Sequence, residues 1–147
     1  MMFSGFVKQS GNEMKFNALL EKKKESLPIK LQAYERLLLF CERLNPSKLL
    51  LRVNPIGTDS QSYLHLLLAN IEQEYEHNLV QQIYVTEESW NAVKGAKLSI
   101  MNKFVETAEN SESAKELRDN LLKNYSQEES PTESAIFILK KSVKKLL

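Results

Sequence analysis

Residues 31–44, LQAYERLLLFCERL, decide the fold. Leu31, Tyr34, Leu38 and Cys41 recur at steps of three and four, and Leu37, Phe40 and Leu44 widen that row into the apolar face of a helix that belongs in a core. Asn45-Pro46 ends it, and Pro28, a residue suited to a first helical turn, opens it.

Upstream, residues 12–25 read as a charged helical stalk containing Lys22, Lys23 and Lys24, and residues 1–11 as a loose end. Downstream, KLLLRV (48–53) lies between two prolines and fits a short helix or a short strand, with the helical turn preferred. Asn54-Pro55-Ile56-Gly57 is a breaker, and Thr58 with Gln61 forms a capping box for a helix over 59–82. That helix places Leu64, Leu67, Leu68, Ile71, Tyr75 and Leu79 on one face. Thr86 caps the next, where Glu87 and Glu88 suit the positive helix end and Trp90, Val93, Ala96, Ile100, Phe104 and Ala108 form the stripe. After Asn110-Ser111 come Ala114, Leu117, Leu121 and Tyr125 at helical spacing. Ser130-Pro131 then starts a last helix bearing Ile136, Leu139, Val143 and Leu146.

The expectation is an all-α fold: an irregular bundle of five to six helices, with at most one short extended segment near 48–53 or 82–85. Residues 1–26 form a tail and stalk, and residues 27–147 a single helical domain. Four glycines and four prolines leave little room for the turns of an all-β fold. Apolar runs such as Leu37–Cys41 reach no more than five residues, far short of the roughly twenty residues of a membrane span. No secretory signal is legible at the start, so the expected address is the cytoplasm, with the inner face of the membrane as the variant.

Net charge is +1, but residues 55–90 hold six acids and no Lys or Arg, whereas both flanking segments are basic. An acidic middle helix is either packed beside basic ones or offered to a basic partner. The apolar row of that helix also turns polar at its end. Asn78 and Gln82 arrive where the core face should continue, with His77 and Gln81 beside them. Buried amides and imidazoles need hydrogen bonds. The preferred resolution is an internal network with Glu35 or Arg36 of the Tyr34-Glu35-Arg36 segment, and the other is cover by a partner chain. The candidate polar cluster or partner surface is therefore Tyr34, Glu35, Arg36, Glu72, Glu76, His77, Asn78, Gln81 and Gln82.

Catalytic and cofactor-binding residues are not expected. Glu74 and His77 sit three apart on one helix, but a di-iron bundle needs two such pairs and two further carboxylates. Cys41 reads as a buried thiol, which burial makes inert. The isolated glycines make no phosphate loop. Lys140, Lys141, Lys144 and Lys145 are candidates for a membrane or other anionic partner, but without interleaved aromatics they do not read specific nucleic acid. Met1, Met2, Phe3 and Phe6 would add a weak membrane contact.

The strings LQAYERLLLFCERLNP (31–46), LLLRVNP (49–55), EYEHNLVQQIYV (74–85) and PTESAIFILKKSVKKLL (131–147), with Trp90 and Ala96-Lys97 between them, resemble an uncharacterised family of small helical bacterial proteins. The resemblance covers residues 27–147 and implies no activity. It implies that Tyr34-Glu35-Arg36 and Glu76-His77-Asn78 with Gln81-Gln82 belong to the family's pattern. Many members begin with a membrane helix before a charged stalk; this sequence keeps the stalk and departs from the pattern in lacking the span. The function expected is a non-enzymatic protein-interaction or scaffold domain with a protein partner, a homo-oligomer being one form of it. The alternatives are a membrane-peripheral accessory protein docking through the basic ends and, last, a carboxylate–histidine metal enzyme.

Overall fold

The computed structural model describes residues 2–147, with side chains described from Gly11 onward. The side-chain contacts expected of Met1, Met2, Phe3 and Phe6 lie outside the described residues. Six α-helices make up the bundle: α1 (Met2–Leu44), α2 (Pro46–Arg52), α3 (Ser60–His77), α4 (Glu87–Glu109), α5 (Ala114–Gln127) and α6 (Pro131–Leu146). A 3-10 turn, Leu79–Ile83, joins α3 to α4. No strand occurs among the described residues, and the segments 48–53 and 82–85 are not extended ladders.

One difference from the sequence reading is the length of α1. It runs unbroken through the stretch expected to be a loose end, and Pro28 lies inside it rather than at its start. A proline removes one backbone donor and leaves the carbonyl four residues earlier unpaired. Here Lys24 and Pro28 are both exposed, so water can satisfy that carbonyl and the helix continues. From Asn12 to Glu25 every side chain is exposed. Burial begins in earnest at Ala33 and Tyr34 and follows the predicted face through Leu37, Phe40, Cys41 and Leu44.

A second difference is the start of α3. The Asp59 carboxylate, rather than Thr58, caps the helix, accepting from the Ser62 backbone N–H at 3.0 Å and from its hydroxyl at 2.8 Å. A charged acceptor is the stronger cap. Thr58 contributes its backbone carbonyl instead, which accepts the Ala114 N–H at 2.8 Å and ties this loop to the start of α5. The preceding Gly57 has φ +141°, a region open to glycine and strained for other residues.

The caps at Thr86 and Ser130 are as the sequence implies, and Ser113 caps α5 without having been singled out; each side chain accepts from a backbone N–H of the first turn. Helix α4 is the central element: it packs most extensively on α6 and also meets α3, α5 and α1. Val93, Ile100 and Phe104 are fully enclosed, each contributing about 1.5–3 kcal/mol of burial. A ladder of amides and hydroxyls fixes α5 on α4, with Asn124 donating to Thr107 and Asn120 to Ser111.

Candidate functional site

The end of α3 is where the predicted polar group falls. The helix stops at His77 instead of running to 82. Asn78 turns its side-chain amide back onto the Glu74 carbonyl at 2.8 Å, and Gln82 donates to the Leu79 carbonyl at 2.9 Å. The amides are thus satisfied by backbone of their own segment, not by Glu35 or Arg36, which are exposed on α1. Glu76, His77 and Gln82 are exposed, and Asn78 and Gln81 half-buried. The expected internal network does not form because the 3-10 turn re-aims the chain before these residues reach the core face.

Beside the exposed Gln82, the turn presents apolar side chains outward. None of its residues is buried; Val80 is 62% and Ile83 70% exposed, with Leu79 and Tyr84 partly so. The corner is nevertheless pinned. Behind it, the buried Tyr34 hydroxyl accepts the Thr86 backbone N–H at 3.2 Å, while Ser89 lies 2.8 Å from both the Thr86 and the Ser142 hydroxyls. Burial pushes the Tyr34 phenol up, but hydrogen bonds from Ser89 and Thr86 outweigh it and bring the group below its ordinary value. This hydroxyl cluster joins α1, the start of α4 and α6.

Next to the corner lies a charge inside the core, which sequence reasoning missed. Lys97 on α4 is 7% exposed. Its Nζ donates to Glu72 Oε1 at 2.8 Å and sits 3.9 Å from the centre of the Tyr75 ring. Tyr75 stacks on Trp90 with centroids 5.4 Å apart and is tilted against Phe40 at 6.1 Å. An ammonium taken from water needs both a counter-charge and a polarisable wall. Glu72 and the Tyr75 face supply them, and no buried side-chain polar atom among the described residues is left without a partner. The signal was present in the sequence: Lys97 falls on the same face as Val93, Ile100 and Phe104, a place where a lysine must be paired.

Glu74 does different work from that of a metal ligand. Its Oε1 accepts from Arg43 Nη2 at 2.6 Å and Arg52 Nη2 at 3.0 Å, clamping α1, α2 and α3. A cation shared with the exposed His77 would have to sit beside both guanidinium groups, whose charge repels it. Among the described residues no three His, Cys, Asp or Glu side chains converge. Cys41 is fully buried, which pushes its thiol up to about 12, with Glu42 adding to the shift.

Lys140, Lys141, Lys144 and Lys145 are exposed on α6. The fold brings that end of the chain against the stalk: Lys145 and Leu146 share a groove with Leu20, Leu27, Lys23, Lys24 and Lys30. Among the described residues no helix is long and apolar enough to cross a membrane.

No curated protein and no solved structure matches the chain. A family model does match, and it spans residues 1–146, so the likeness extends through the stalk that precedes residue 27. The chain belongs to that family, described as a family of unknown function (DUF7935).

Proposed function

We propose that the chain is a protein-interaction or scaffold domain without catalytic chemistry of its own, and that its partner seats on the corner made by the end of α3, the 3-10 turn and the start of α4. The exposure of Val80 and Ile83 on a corner pinned from behind carries this reading. Apolar side chains held rigidly in water are ready-made anchors, since little ordering entropy remains to be lost on binding. Glu76, Glu87 and Glu88 are exposed around them, so the partner surface would be apolar with a basic rim. The cytoplasm is the compartment this reading assumes.

The test is an affinity capture from the native cells with three baits: the wild type, Val80→Asp/Ile83→Asp, and Phe137→Asp as an exposed control on α6. A partner held by the wild type and the control but lost by the corner variant, with helicity unchanged, supports the reading. Retention by the corner variant, or a wild-type bait that returns alone, overturns it. A second reading, a membrane-peripheral accessory protein, is favoured by the meeting of Lys145 with Lys23, Lys24 and Lys30. It requires co-sedimentation with anionic vesicles that about 0.5 M salt abolishes by screening.

A further inference from the structure

Between α1 and α6 runs a second groove, which shares only Tyr34 with the corner. Its floor is Leu31, Tyr34 and Leu38 from α1 and Leu139 and Val143 from α6, enclosing a cavity of about 350 Å³. Small-molecule sites fall in the range of about 300–1,000 Å³. Polar groups enter only at the rim, where Lys140 and Lys144 stand on α6 and Glu35 on α1. Leu139 and Val143 are four apart, as are Lys140 and Lys144, so α6 carries an apolar row and a cationic row side by side. None of these three charged rim groups is held in an ion pair among the described residues, where the four bridges join other residues.

We propose that this groove binds a single-chain anionic amphiphile, with its hydrocarbon tail along Leu31, Leu38, Leu139 and Val143 and its carboxylate or phosphate head on Lys140 and Lys144. The apolar floor accounts for the tail, and two ammonium groups against one carboxylate in this groove select an anionic head, with Lys144 the principal contact because Lys140 also borders Glu42, Glu129 and Glu133 on its other side. The lining on α1 runs only from Leu31 to Leu38, about two helical turns, which favours a ligand one chain wide over a partner helix. Glu35 faces the same rim and repels an anion, so its charge opposes binding.

The experiment is a calorimetric titration of the full chain with laurate and with dodecyl phosphate below their micelle concentrations, and with dodecanol as the neutral probe. Saturable one-to-one binding of the two anions, weaker for dodecanol, is expected. Lys140→Gln/Lys144→Gln should weaken the anions by at least about fivefold, and Glu35→Gln should tighten them. Val143→Glu, at a half-buried position, should abolish binding while thermal melting confirms folding. The inference is overturned by an absence of saturable binding, by equal affinity for dodecanol, by Glu35→Gln weakening the anions, or by binding only to anionic vesicles, which would assign the lysines to a membrane surface. Because the corner substitutions lie on other elements, failure here leaves the protein-interaction reading standing, and the reverse holds as well.

Discussion

Replacing Lys97 separates the work of its charge from that of its stem. In Lys97→Met the stem stays packed, and what goes is the bond to Glu72 and the ammonium over Tyr75. The Glu72 side chain is 43% exposed, so its charge can return to water and the pair is worth only about 0.2–1 kcal/mol. The cation–π contact is partly desolvated and worth about 0.5–2 kcal/mol. Methionine regains some of this by avoiding the cost of burying a charge. A net loss of about 1 kcal/mol follows. Lys97→Ala also empties the space of three methylenes at about 0.8 kcal/mol each, so its loss should reach about 3 kcal/mol. For a chain of 147 residues each kcal/mol moves Tm by about 3–4 °C, giving drops of about 3–4 °C and about 10 °C. Urea denaturation followed by circular dichroism reads both, and Glu72→Gln combined with Lys97→Met closes a cycle whose coupling should be about 0.5–1 kcal/mol. If Met and Ala cost the same, the stem does not pack as described. If the coupling is zero, the Glu72 bond contributes nothing.

Alkali should unfold the protein. Burial, with Glu128 adding, raises Tyr125 to about 12, and burial also raises Tyr63 and Tyr75. The unfolded chain ionises these phenols near 10, so the stability they contribute is whole below about pH 10 and drains away as pH climbs towards 12. Tyr34, shifted down, works weakly the other way. Absorbance of tyrosinate and helicity should therefore change together in that window; helicity intact after all five tyrosines have titrated near 10 would refute it. Deleting residues 1–25 should cost less than about 1 kcal/mol in denaturant melts, because no described side chain of that stretch is buried. A deletion that unfolds residues 27–147 would show that the stalk is part of the domain.

Long periodic stripes were legible. The face from Trp90 to Ala108 is buried residue by residue as its spacing implies, and that from Tyr34 to Leu44 is buried except at Leu38, which is half-buried, since a helical period has one way to hide its apolar side. The caps at Thr86 and Ser130 were legible because their chemistry is local. Pro28 was not: whether proline ends a helix depends on whether water reaches the carbonyl it orphans, which is a tertiary fact. Asp59 displaced Thr58 for a similar reason, with the Thr58 carbonyl recruited by Ala114, 56 residues away in sequence. The polar end of α3 was noticed as a row of amides and an imidazole on a helix carried to residue 82. Its meaning was misread, because the periodic reading extended a helix through Asn78 that the chain abandons there. Lys97 was legible in principle, as a charge on an apolar face, but its partners Glu72 and Tyr75 lie on another helix.

The packing of α1 on α6 closes the bundle between the first helix and the last. A ribosome delivers about 5–20 residues per second, so roughly 5–20 s pass between the emergence of Leu31 and that of Leu139. Throughout that interval the face of α1 has no α6 to lie on, and the hydroxyl knot at Tyr34 lacks Ser142. For that interval the side of α1 that will meet α6 stays open. The seam between α1 and α6 can close only once Leu139 and Ser142 have emerged.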